Sequence, residues 1–85
     1  MDEGLRHKIR EGNYLYVSEN AIMFTSAEEN NPVNSEFRAM MECICRLTSK
    51  ALANGVPREH IIKQMISADG GRNTILSVIA EKMGA

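Results

Sequence analysis

Four consecutive residues, Asn54-Gly55-Val56-Pro57, restrict this chain more than any other stretch, because they close one helix and open another with almost no loop between. Asn54-Gly55 supplies the left-handed conformation that ends a helix. Pro57 suits the first turn of the next, where its missing N–H would be unpaired in any case. Upstream, Phe37, Met40, Met41, Ile44, Leu47 and Ala51 recur at three- and four-residue steps, the apolar stripe of one long helix. Cys45, Leu52 and Val56 widen that stripe beyond what a two-layer monomer hides, and an oligomer interface would use the surplus. Asn34 or Ser35 can cap this helix, and Glu36 places negative charge in its first turn. Downstream, Ile61, Ile62, Met65 and Ile66 predict a second helix with a buried face, broken by Asp69-Gly70-Gly71. Asn73 or Thr74 can cap a third, whose Ile75, Leu76, Ile79 and Met83 turn inward before Gly84 stops it.

The first third of the chain follows other periods. Leu5 and Ile9, four apart among charges, predict a short helix over residues 3–11 that Gly12-Asn13 stops. From Asn13 to Ser18 the pattern alternates, with Leu15 and Val17 on one face and Tyr14 and Tyr16 on the other. Glu19-Asn20 reads as a turn into Ala21–Ser26, so the two segments form an antiparallel hairpin. Residues 27–33 are polar, and Pro32 excludes its neighbour from helical geometry, which predicts a surface loop. The expectation is one α+β domain over residues 1–85: an N-terminal antiparallel β-hairpin, then two or three packed α-helices, assembled as an oligomer.

Composition narrows the function classes. With 44% hydrophobic and 25% charged residues, 85 in all, the chain has material for one marginal core, and self-association is the usual remedy. A net charge of −1 with the signs interspersed excludes a broad basic surface for duplex nucleic acid, so an anion has to be met by a local pocket. No apolar run approaches the roughly 18 residues of a membrane span. The opening MDEGLRHKIREG lacks the apolar stretch of a signal peptide, so a cytoplasmic location in the host cell is expected. Cys43 and Cys45 fall on nearly opposite sides of one helix, which prevents a disulfide between them, and both read as buried apolar thiols. His7 and His60 stand at no metal-ligand spacing to them, so neither metal nor cofactor is expected.

Nothing in the pattern reads as an enzyme. The carboxylates scatter over predicted helix surfaces, the serines lack a strained glycine elbow, and His60 reads as a surface residue. Two helix starts are better suited to holding an anion. In Asp69-Gly70-Gly71-Arg72-Asn73-Thr74 the glycines let backbone N–H groups converge, the helix start adds partial positive charge and Arg72 a full one. The same residues also read as a plain interhelical turn with a solvated arginine. Asn34, Ser35 and Arg38 offer a second such start, with a capped helix and an exposed arginine as the plainer alternative. Phe24, Tyr14 and Tyr16 on the hairpin are candidates to stack on a base, or for Phe24 to fill the core.

The stretch from Cys45 through the Gly55-Val56-Pro57 corner to Ile61-Ile62-Lys63-Gln64-Met65 resembles the TSCPD domain found at the C-terminal end of cobalamin-dependent ribonucleotide reductases. The hairpin and the Asn34-Ser35-Glu36 helix start fit the same pattern, so the resemblance covers most of residues 13–83. The Thr-Ser-Cys-Pro-Asp run that names the family is matched here by Asn73-Thr74-Ile75-Leu76-Ser77, without the cysteine. That departure removes the residue most easily tied to redox or metal chemistry. The 85 residues include no reductase domain. Stand-alone chains of this kind also look like the phage Thoeris anti-defence sponges of the first type. For those, the resemblance implies assembly into dimers or larger rings such as hexamers, and sequestration of glycocyclic ADP-ribose, in some members also cyclic trinucleotides, without hydrolysis.

The sequence therefore points to a non-catalytic sponge for a cyclic nucleotide signal. Arg72 and Arg38 would pair with phosphates, Asn73, Thr74, Asn34 and Ser35 would orient them or the ribose hydroxyls, and Phe24 or a tyrosine would stack on the base. On this reading Arg72→Ala weakens capture. The rivals are a ribonucleotide-reductase-related accessory or regulatory module that binds a nucleotide or the reductase, and a small hydrolase of cyclic nucleotides.

Overall fold

The computed structural model describes residues 4–26 and 35–85. The loop expected over 27–33 and the cap expected from Asn34 lie outside the described residues. Three strands, β1 (Leu5–Arg10), β2 (Asn13–Val17) and β3 (Ile22–Ser26), precede three helices, α1 (Ser35–Ala53), α2 (Arg58–Asp69) and α3 (Ile75–Lys82). The strands form an antiparallel meander in the order β1-β2-β3. No helix among the described residues is long and apolar enough to cross a membrane.

Where a helix was expected over residues 3–11, the structure has β1. The apolar pair Leu5 and Ile9 fits either element, since positions four apart share a face in a helix and in a strand. Pairing decides the matter: Arg6 lies opposite Tyr16, His7 opposite Leu15 and Lys8 opposite Tyr14, so β2 supplies the hydrogen bonds a lone helix of this length would struggle to hold. Burial along β1 accordingly alternates, with His7 and Ile9 the half-covered positions. Gly12, expected to stop a helix, instead turns the β1–β2 hairpin at φ 75°.

Register sorts the sheet into two faces. Leu15 faces His7 on one side and Phe24 on the other, and Val17 lies opposite Leu5 and Ile22. That face carries the core. Leu15, Met41 and Ile79 are fully enclosed, one from the sheet and one each from α1 and α3, with Ile22, Phe24, Cys45, Ile61, Met65, Ala80 and Met83 around them. The molecule measures 35 × 34 × 18 Å, and its thinnest dimension is that of one sheet against one helical layer.

The corner between α1 and α2 is built as its sequence predicts. Val56 N–H donates to the Ala51 carbonyl at 3.0 Å and Gly55 N–H to that of Leu52 at 3.1 Å, with Gly55 at φ 85°, a Schellman closure. Pro57 sits immediately before α2 rather than inside its first turn. Arg58 then fastens three elements: Nη2 donates to the carbonyls of Ser18 at 2.7 Å and Glu19 at 2.6 Å, and Nη1 to that of Met83 at 3.3 Å.

The predicted apolar stripes are wider than the core uses. Met40 and Leu47 on α1 and Ile66 on α2 are exposed, as is Val56 in the corner. Cys43, expected to be buried, is exposed, while Cys45 is buried. The two-residue offset that separates them on the helix places only one side toward the sheet.

Candidate functional site

The expected anion loop is formed, and its donors are already engaged. Asp69, the last residue of α2, is buried, and its carboxylate lies inside the turn that follows. Thr74 donates to Oδ1 through both its N–H and its hydroxyl at 2.6 Å, and Asn73 N–H donates to Oδ2 at 3.1 Å. Thr74 Oγ1 in turn accepts from Leu76 N–H at 3.1 Å as the α3 cap. These bonds, led by the Thr74 hydroxyl, hold the Asp69 carboxyl down at about 2 against the opposing effect of burial. Asn73 occupies the left-handed region at φ 57°, which aims consecutive N–H groups at one point. That point is filled by the chain's own carboxylate. Arg72 folds back as well, donating to the carbonyls of Asp69 at 3.0 Å and Ala68 at 2.9 Å and so capping the C-terminal end of α2.

The other expected residues lie on α1 and β3. Ser35 is the exposed first residue of α1, and Arg38 lies half-buried in its first turns. Phe24 belongs to the core: it meets Phe37 edge to face with ring centroids 6.0 Å apart. It also lines a groove together with Tyr16, the other expected stacking candidate there, and beside them the structure gathers residues that sequence reasoning did not single out.

This groove, about 630 Å³, runs between β3 and α1 and is lined by Tyr16, Ile22, Met23 and Phe24 from the sheet and by Glu42, Cys45, Arg46, Ser49 and Lys50 from α1. Its volume lies in the range of small-molecule sites. β3 is an edge strand, and Ser49 occupies part of its open edge: its hydroxyl accepts from Ile22 N–H at 3.0 Å and donates to the Ile22 carbonyl at 2.9 Å. Positions 42, 46, 49, 50 and 53 share the flank of α1 beside this edge. Arg46 is 82% exposed and meets Glu42 only at 4.0 Å. Lys50 has no carboxylate within ion-pair distance among the described residues. Two cations thus border an apolar, aromatic-walled space. Cys45 forms part of the wall, and burial pushes its thiol up to about 11, so it remains protonated and unreactive at neutral pH.

Among the described residues, no three His, Cys, Asp or Glu side chains come close enough together to hold a metal ion. His60 is exposed on α2 beside a shallow depression lined by Leu47, Val56 and Ile61. The sequence signal for the groove is faint. Arg46 and Lys50 are four apart on one helix, which is also how an ordinary solvated face looks.

Residues 3–83 match the TSCPD domain. The chain belongs to the TSCPD family. No curated protein and no solved structure matches it significantly. The match takes in β1 together with the hairpin and all three helices.

Proposed function

We propose that this TSCPD domain is a non-catalytic binding module that captures a phosphate-bearing nucleotide and, like the anti-defence sponges it resembles, withholds a cyclic immune signal such as glycocyclic ADP-ribose or a cyclic trinucleotide in the host cytoplasm. The observation that supports it is the β3/α1 groove, where Tyr16, Met23 and Phe24 offer an apolar wall to a base and Arg46 and Lys50 stand at the rim for phosphate. Capture needs only preorganised donors and a stacking wall. In this reading Phe24 keeps the role expected of it, and Ser35 and Arg38 stand on the same helix as the two cations. Arg72, Asn73 and Thr74 shape the α2–α3 corner that carries the core beneath. Self-association is part of the proposal, supported by the exposed Met40 and Leu47 on α1 and by Val56 in the corner.

The test is depletion followed by recovery. The protein is incubated with glycocyclic ADP-ribose and, separately, cyclic trinucleotides, free ligand is measured, and the protein is heat-denatured. Loss of free ligand and its return chemically intact is the expected result. A new product in the denatured sample would make the protein a hydrolase, and no depletion of any of these ligands would end the sponge reading.

A further inference from the structure

The face of the sheet turned away from the helices has a chemistry of its own. Arg6, Tyr16 and Met23 form one cross-strand row and Lys8, Tyr14 and Thr25 the next. Both tyrosines of the chain are therefore on this face, half-covered, beside 56%-exposed Met23. The Arg6 guanidinium lies over the Tyr14 ring at 4.0 Å. Tyr16 is held down by its hydroxyl, which accepts from Gly4 N–H at 2.9 Å. Its ring passes so close to Gly4 that a Cβ there would clash with it, so a glycine lets the ring lie where it does. Neither row contains a carboxylate. Glu11, at the hairpin tip, reaches Lys8 at 3.0 Å from outside them.

We propose that this face is a stacking platform for a short single-stranded nucleic acid. Half-covered rings on a sheet, flanked by cations, offer what unpaired bases and their phosphates require: every base has a face that stacks on the uncovered part of a ring, and Arg and Lys meet the backbone. The charge pattern selects this occupant over a second copy of the same face, because a back-to-back pairing would press together two faces that each carry Arg6 and Lys8 and no carboxylate in either row. The platform also continues past the edge of the sheet. Tyr16 and Met23 belong to the wall of the β3/α1 groove as well, so a strand crossing the rows from Lys8 would come next to Arg46 and Lys50. A path of two rows and one groove suits roughly four nucleotides, the low end of single-strand site sizes. It offers nothing long enough to follow a duplex.

Because the chain has two tyrosines and no tryptophan, its intrinsic fluorescence reports this face alone. Octathymidylate and octauridylate are titrated at low salt, following tyrosine emission and, with labelled oligomers, anisotropy. The expected result is quenching together with binding that weakens as salt rises, with a log–log slope of about −1.5 to −3 for two to four phosphates met. Arg6→Ala with Tyr14→Ala weakens binding by about 10-fold or more. Thr25→Glu, which sets a carboxylate in the row of Lys8 and Tyr14 and spares both rings, weakens it with an unchanged thermal melt. Lys50→Glu serves as the counter-test: it weakens capture of the cyclic nucleotide in the groove by about 10-fold, while oligomer binding to Arg6 and Tyr14 survives in reduced form, so the two sites fail separately. No binding of either oligomer at low salt would overturn the proposal, as would affinities equal to wild type in the Thr25→Glu protein, or tyrosine emission indifferent to a bound oligomer.

Discussion

Arg72 and Arg46 are both exposed arginines at the edge of a helix, and the molecule uses them in opposite ways. Around Arg72 the main donors have internal acceptors: Nε and Nη2 of its guanidinium serve the end of α2, and the Asn73 and Thr74 backbone amides serve the Asp69 carboxylate. Arg58 is likewise spent on the carbonyls of Ser18, Glu19 and Met83. Along the β3/α1 groove the cations point outward past an apolar wall, and the nearest carboxylate to Arg46, on Glu42, is at the limit of an ion pair. A donor available to a ligand is one the fold has not already satisfied, and on that measure the groove and not the glycine loop is the place to look.

The contrast can be broken at several points. The largest effect is expected from Arg46→Glu combined with Lys50→Glu, which reverses the charge at the rim: nucleotide capture, followed by calorimetry, falls by about 100-fold, the loss of two charge-assisted contacts. Capture unaffected by that change would remove the groove from consideration.

Next comes Arg58→Ala. Three carbonyls lose their donor and three elements lose a common fastener, so urea unfolding is expected to show a loss of about 2 kcal/mol, with little change in capture. A stability loss near zero would mean that water replaces the guanidinium without cost.

Asp69 sharpens the comparison through pH. Its carboxyl sits at about 2 in the folded protein against an ordinary 3.8, so the folded state prefers the ionised form. The resulting stabilisation is fully present above about pH 4 and is lost as pH falls from there toward 2. Asp69→Asn is expected to be less stable than the parent at pH 6, with the difference between the two shrinking across that acid window. A gap of constant size from pH 6 to 2 would show that the Asn73 and Thr74 donors do not depend on the charge.

The smallest effect belongs to Arg72→Ala, with about 1 kcal/mol of stability lost and capture changed by less than about threefold. A large fall in affinity there, at unchanged stability, would return the site to the glycine loop and reverse the comparison.

Much of the fold was legible because it rests on local physics. The alternation of Leu15 and Val17 against Tyr14 and Tyr16, the Gly55-Val56-Pro57 corner and the Thr74 cap each follow from residue chemistry within a few positions, and each is formed. Less of the candidate site was legible. Asp69 reads in sequence as a helix breaker, and only the folded turn reveals that its carboxylate fills the loop it begins. Phe24 and Tyr16 were the expected stacking candidates that also line the groove, and the apolar character of Phe24 serves core and wall alike.

The sequence by itself determined the corner between α1 and α2 and the cap of α3, since caps and glycine turns act over neighbouring residues, whereas its apolar periods gave the buried faces only in part, with Met40, Leu47 and Ile66 left exposed. The tertiary structure alone decided that Leu5–Arg10 is a strand, that Asp69 occupies the anion loop, and that Arg46 and Lys50 stand beside Tyr16 and Phe24. Each of these depends on a partner from another element or the opposite side of a turn. Leu5 and Ile9 satisfy both periods until β2 supplies the hydrogen bonds, and a donor is free or engaged only once the chain has folded around it.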